Sequence, residues 1–183
     1  MRPHLWPSLD AETALALFSK RLLQQVVLHA HLSIHALQAA VLLGHRLHLA
    51  DQARIHTAIF TTPFIETYIA YFAILKIGCV VLPLFSGYGS KAVIERLNIA
   101  KAKGIFTVEK TFRKAKEIRM FDQIKNELDQ VISLEKIFLL GKEKGKKIFN
   151  WENFQNVSDN LKTEETDAED PAIIHFTSGT TGK

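Results

Sequence analysis

Five short runs rich in Ile, Val, Leu and Phe punctuate the chain: Thr57–Phe60, Cys79–Leu84, Gly104–Val108, Lys136–Leu140 and Ala172–Phe176. Little polar alternation interrupts them, the pattern of strands covered on both faces. Between them, apolar positions recur at helical spacing over Pro63–Lys76 and Ser90–Lys103, and in the second stretch Val93, Leu97 and Ala100 share a face. Gly78 stands where a helix stop is expected, and Ser90 is a suitable N-cap. A further helix is predicted over Phe112–Leu128, charged on one side and apolar at Ile118, Phe121, Ile124 and Leu128. Strands alternating with helices in this way predict an α/β, doubly wound fold with a mainly parallel sheet, in which ligands sit at the carboxyl ends of the strands. Lys142–Lys147 and the acidic Glu164–Asp170 read as solvated loops or hairpins.

Composition narrows the class without identifying it. The chain has 183 residues, 47% hydrophobic and 23% charged, enough for one domain with its own core. The net charge of +4 is mild. Lys110, Lys114, Lys116, Lys142, Lys144, Lys146 and Lys147 form local basic clusters, but no base-stacking aromatic pattern or nucleic-acid motif accompanies them, so nucleic acid is not an expected partner. Cys79 is the single cysteine and lies in a predicted buried strand. No disulfide within the chain follows, and a cytoplasmic location is favoured.

The first 56 residues differ from the rest. They hold seven of the eight histidines, one of sixteen lysines, two of seventeen isoleucines and none of the six asparagines. The expected division is therefore an atypical His/Leu-rich segment over 1–56 and a separate α/β region over 57–183. The segment is read either as a start foreign to the fold, from a shifted frame or a joined sequence, or as a divergent but genuine N-terminus. Leu22–His45 carries no formal charge and has the length of a membrane span. Gln24, Gln25, His29, His31, Ser33, His35 and Gln38 run through it, each costly in lipid, so no span is expected. His31 and His35 share a helix face, yet no cysteine or zincin-type glutamate assists them, and no metal site is assigned.

The strongest chemical signal is the run Thr177, Ser178, Gly179, Thr180, Thr181, Gly182 and Lys183, directly after the apolar Ala172–Phe176. Glycines let backbone N–H groups approach an anion, hydroxyls donate further hydrogen bonds, and lysine adds charge, so the run reads as a phosphate loop. A Walker A loop would need glycine at position 177, which is Thr177, and its final Ser/Thr would lie after Lys183. An ordinary Gly/Thr turn is the alternative.

Thr177–Gly182 resembles, residue for residue, the T-S-G-T-T-G-x-P-K-G signature of the adenylate-forming superfamily, which includes acyl-CoA synthetases, luciferases and peptide-synthetase adenylation domains. Lys183 falls on the variable position. Upstream, residues 57–119 are similar to the acetyl-CoA synthetase branch: Pro63, Glu66, Lys76-Ile77-Gly78, Pro83 to Gly87, Gly89, Arg96-Leu97 and Arg113 fall in register with its pattern. The Gly-Asp-Arg-Val turn of that family is replaced here by Ala50–His56.

The resemblance implies two-step ligation. A carboxylic acid attacks the α-phosphorus of ATP to give an acyl-adenylate and pyrophosphate, and the thiol of coenzyme A then displaces AMP. It also implies that Thr177–Lys183 bind the ATP phosphates, with Mg²⁺ sharing their charge. Arg113 falls on the family's R-x-G-K and Lys116 is its second cation, which implies contact with a coenzyme A phosphate. Lys114 and Ala115 replace glycines there, and a solvated helix start is the alternative. Phe85–Gly89 is read as a structural turn beside the nucleotide half. In the family the adenine pocket, the ribose-binding aspartate, the magnesium-binding glutamate and the adenylation lysine follow the loop. The expectation is thus a fragment of an ATP-dependent acyl-CoA synthetase of fatty acid metabolism, with no catalytic residue assigned and no turnover alone. The alternative is a non-catalytic nucleotide-binding or interaction module.

Overall fold

The structure, a computed structural model, describes residues 55–154 and 163–177. Its main sheet has five strands, β1 (His56–Phe60), β2 (Val80–Leu84), β3 (Gly104–Val108), β6 (Lys136–Leu140) and β7 (Ile148–Asn150). They lie in the order β2-β1-β3-β6-β7, every pair parallel. The connections are α1 (Ile65–Lys76), α2 (Ser90–Ile99) and, after β3, a hairpin of β4 (Thr111–Arg113) and β5 (Lys116–Ile118) leading into α3 (Met120–Ile124). The first four predicted strands are thus present within a residue at either end, and the sheet is of the α/β parallel type.

Alternation along the strands assigns the two faces. Ala58, Phe60, Leu82, Leu84, Ile105, Ile137 and Leu139 point to one core with α2 and α3. Ile59, Val81, Phe106 and Phe138 point to the other, where Ile69, Ala70, Ala73 and Ile74 of α1 cover them. Side chains at successive positions of a strand leave opposite faces, so a sheet wrapped by helices on both sides must be apolar at every position. That is why the strand runs lack polar alternation. Burying each such Leu, Ile or Phe contributes roughly 1.5–3 kcal/mol against leaving it in water.

Helix ends follow local chemistry. Before α1, the Phe64 N–H donates to Thr67 Oγ1 at 3.2 Å, and that hydroxyl donates to Thr62 O at 2.9 Å, satisfying one orphan donor at the helix start. Glu66 in the first turn and Lys76 in the last complement the helix dipole. Gly78 has φ 69° and its N–H reaches Leu75 O at 3.0 Å, the predicted stop. For α2 the N-cap is Gly89, not Ser90, which is already helical. This helix ends at Ile99 rather than Lys103, because Lys101 takes φ 49° and turns the chain into β3.

Two further expectations are corrected. The predicted helix Phe112–Leu128 is a hairpin in its first half: Lys114 and Ala115, at φ 50° and 61°, close a tight two-residue turn, and Thr111 pairs with Ile118, Phe112 with Glu117. Helical spacing is realised only from Met120, through Phe121 and Ile124, with Leu128 in a following 3₁₀ turn. Ala172–Phe176 is not a strand. It makes a single parallel bridge, Val81 with Ile173, held by Val81 N–H to Ala172 O and Ile174 N–H to Val81 O, both 2.9 Å. Lys142–Lys147 form a largely exposed loop, one of the two arrangements expected, and lead into β7, parallel to β6. Asn150 Nδ2 pins that connection by donating to Gly141 O at 2.7 Å and Glu143 O at 3.1 Å.

Leu22–His45, with His29, His31 and His35, lies outside the described residues. Among the described residues, no helix is long and apolar enough to cross a membrane.

Candidate functional site

The β4–β5 hairpin follows the carboxyl end of β3, and the stretch Ala172–Thr177 joins β2 at Val81, near its start, parallel to it. Threonines tie the hairpin to the sheet. Thr62, just after β1, and Thr111, at the start of the hairpin, share a hydrogen bond between hydroxyls at 2.7 Å, and Thr107 of β3 donates to Phe60 O at 2.8 Å. The hairpin is thereby fixed over the end of β1, where the chain's crossovers diverge to either side. Such a switch point in an open parallel sheet leaves a crevice for ligands.

Of the predicted site residues, Arg113 and Lys116 are brought together. They are register partners across the hairpin and both are exposed. Their setting is the end of a β-ribbon, not a helix start. Thr177 is described and exposed, three residues after Ile174, whose N–H donates to Val81 O of β2. Ser178, Gly179, Thr180, Thr181, Gly182 and Lys183 lie outside the described residues.

A line of alternating cations and rings connects the hairpin to the root of the loop. The Arg113 guanidinium lies 5.8 Å from the Phe85 ring centre, and the Phe85 and Tyr88 rings meet edge to face at 5.6 Å. Arg96 lies 4.3 Å from the Tyr88 ring centre and 5.4 Å from that of Phe176, the residue before Thr177. The Phe85–Gly89 turn, read from sequence as structural, is therefore the bridge between the two candidate subsites. Phe85 is 60% exposed, so apolar ring surface lies open beside Arg113. Sequence reasoning gave Arg96 no role; the available signal was an arginine on the face of α2 that carries Val93 and Leu97.

A second concavity, of about 550 Å³, opens at the ends of β3, β6 and β7, lined by Glu109, Lys110, Leu140, Gly141, Lys142, Trp151 and Glu152. It contains none of the predicted site residues. Its wall is fixed by Lys142 N–H donating to Glu109 Oε2 at 2.7 Å. Among the described residues, no group of three His, Cys, Asp or Glu side chains converges as a metal site. Cys79 is 2% exposed, and burial pushes its thiol up to about 12. It is a core residue and no nucleophile at neutral pH.

Comparison with known proteins adds to this geometry. A family model described as AMP-binding enzyme matches residues 22–183, beginning upstream of Thr57. The acetyl-coenzyme A synthetase of Helicobacter pylori strain G27 is 30% identical over 134 residues, covering 68% of this chain and 20% of that protein. That of Bdellovibrio bacteriovorus is 27% identical over 125 residues, 64% of this chain and 19% of that one. The chain thus spans about a fifth of the length of these curated relatives. Among solved structures, coronafacic acid ligase from Pectobacterium brasiliense has a TM-score of 0.67 at 20% identity, over 78% of this chain and 27% of that one, a likeness of fold.

Proposed function

Since the chain belongs to the AMP-binding enzyme family, we propose that it is the phosphate-binding portion of an ATP-dependent acyl-CoA synthetase. The observation that carries this reading is the run Thr177–Lys183, which follows a segment hydrogen-bonded to Val81 near the start of β2 and parallel to that strand. The substrates would be ATP, a small carboxylic acid and coenzyme A, and the products of the first step an acyl-adenylate and pyrophosphate.

In this reading the chain's own residues hold and orient phosphate. Backbone N–H groups of the loop and the hydroxyls of Thr177, Ser178, Thr180 and Thr181 would donate to the β and γ phosphates, with Gly179 and Gly182 permitting close approach and Lys183 adding charge. Donors fixed before the reaction stabilise the charge that builds on departing pyrophosphate without rearranging. Mg²⁺ would arrive with the nucleotide's phosphates and share their charge; the described residues offer it no cluster of acidic ligands. Arg113 and Lys116, side by side at the hairpin end with the exposed Phe85 ring near Arg113, suit a phosphate attached to an aromatic base. That supports them as the coenzyme A contact. We assign this chemistry to the cytoplasm.

The 183-residue chain alone is expected to give no carboxylate-dependent exchange of labelled pyrophosphate into ATP, because positioning a carboxylate against ATP needs the groups that relatives carry in their other four fifths. Joined in one polypeptide to the rest of an acetyl-CoA synthetase, it is expected to support exchange. Thr180→Ala with Thr181→Ala should then lower turnover by about a hundredfold or more, the scale of losing a preorganised oxyanion donor. Indifference of the joined enzyme to both substitutions would remove the loop from the mechanism.

The second reading, a binding module without catalysis, predicts affinity for nucleotide with no exchange even in the joined polypeptide.

A further inference from the structure

The concavity of about 550 Å³ at the ends of β3, β6 and β7 has walls that the fold holds in place. Glu109 closes one side: its Oε2 accepts the Lys142 N–H at 2.7 Å, and its own N–H donates to Leu140 O at 3.0 Å. A Cβ at Gly141 would lie 2.5 Å from Glu109 Oε2 and 2.6 Å from Glu109 Cβ, so glycine is what lets this carboxylate fold over the strand end. Asn150 fixes the connection beyond it through Gly141 O and Glu143 O. The half-buried Trp151 indole, which meets Phe106 edge to face at 5.6 Å, supplies apolar wall together with Leu140. Volume and lining suit a small molecule: an apolar surface with a few polar groups fixed in direction.

The charges at this cavity sort by partner. Lys110 is already paired with Glu117, at 3.3 Å. Among the described residues, the Glu152 carboxylate and the Lys142 ammonium have no ion pair, and the Glu109 carboxylate accepts a backbone N–H but meets no cation. Two carboxylates without a counter-charge therefore stand against one ammonium, that of the exposed Lys142. Its long stem lets that ammonium extend into water, whereas Glu109 is held at the wall. The balance left at the cavity is negative. An indole face adds to it, since its quadrupole also attracts cations. An anionic ligand would meet both carboxylates, and a neutral one would leave them unpaired.

We propose that this cavity binds an organic ammonium ion carrying an apolar group, with its N–H donors directed to the Glu109 and Glu152 carboxylates and its apolar part laid on Trp151 and Leu140. The carboxyl ends of parallel strands are where α/β sheets receive ligands, and β3, β6 and β7 are consecutive in this sheet. The inference is independent of the function proposed above, because neither phosphate nor coenzyme A enters it. Charge sets the sign of each contribution. Glu109, Glu152 and Trp151 attract the cation, and Lys142 opposes it.

Titration of the isotope-labelled 183-residue chain with phenethylammonium chloride at neutral pH, followed through its amide resonances, tests this. Saturable shifts are expected at Glu109, Gly141, Lys142 and Trp151, with Ala58 and Leu82 unmoved. Hydrocinnamate and phenethyl alcohol, which keep the ring without the cation, are expected to give none. Glu152→Gln removes an exposed carboxylate and should weaken binding by about fivefold, the upper end for a partly exposed ion pair. Glu109→Gln still accepts the Lys142 N–H and should weaken it similarly, while Trp151→Leu should weaken it by about threefold, the scale of an exposed cation–π contact. Lys142→Ala should tighten binding by about twofold, a change of opposite sign that damage to the cavity wall would not produce. Equal shifts with hydrocinnamate, unchanged affinity in both Glu109→Gln and Glu152→Gln, or no saturable shift at the four positions would overturn the site. If Glu109→Gln does not fold, Glu152→Gln and Lys142→Ala decide by their opposite signs.

Discussion

Arg113 and Lys116 stand directly opposite each other as the last register pair of the β4–β5 hairpin, two exposed cations with only Lys114 and Ala115 between them. Like charges facing across a ribbon are unfavourable, and a third cation in the turn adds to the repulsion. In the function proposed above, a phosphate dianion between the two would relieve that repulsion.

If the pair is repulsive in the free chain, Lys116→Glu should stabilise it by roughly 0.2–1 kcal/mol at low ionic strength. The gain should shrink as salt rises past about 0.15 M, where the Debye length is about 8 Å. Urea midpoints at two salt concentrations measure both effects. A loss of stability at low salt would show that Arg113 and Lys116 already share a partner.

The turn between them holds two non-glycine residues in the left-handed region, Lys114 at φ 50° and Ala115 at φ 61°. Left-handed conformation costs an ordinary L-residue about 1–2 kcal/mol, offset in part by the extra freedom glycine brings to the unfolded chain. Replacing both by glycine is therefore expected to raise stability by about 1 kcal/mol in total. Thermal unfolding reads this, and a fall in stability would contradict the positive φ assignment.

Cys79 links stability to alkaline pH. Its thiol is pushed up to about 12 from 9.0 by burial, so the folded chain keeps its proton while the unfolded chain loses it. The unfolded state then binds fewer protons, and stability should fall as pH rises through the window from about 9 to about 12, by at most about 1.4 kcal/mol per pH unit. Below pH 9 the thiol contributes no slope. Cys79→Ala should flatten this part of the curve, and equally steep curves for both chains would assign the slope to other groups. Thiol reagents at pH 8 should modify Cys79 only as fast as the core opens.

The sheet was legible in the sequence because its strands are buried on both faces. Gly104–Val108 and Lys136–Leu140 are short, mostly apolar runs, although the same pattern at Ala172–Phe176 gives only a bridge. Helix stops were legible where one residue decides them, as at Gly78. The hairpin was not, since Lys114 and Ala115 give no turn signal and Ile118, Phe121, Ile124 and Leu128 continue a helical period across the boundary. β7 was hidden by its length, three residues after a lysine-rich connection. At the candidate site, the proposed phosphate loop is read from the motif alone, because anion binding by the backbone needs those residue types. The place of Arg96 was not legible, because only the fold brings the Tyr88 and Phe176 rings to it.

The central claim, that Thr177–Lys183 binds phosphate, is tested most directly by titrating the isotope-labelled 183-residue chain with magnesium pyrophosphate and following its amide resonances. Binding at the loop predicts saturable shifts at Thr177 to Lys183 with smaller changes at Phe176, competition by ATP, and loss of the response in Thr180→Ala with Thr181→Ala. Absence of saturable shifts in this run, or a response that survives both substitutions, would contradict it.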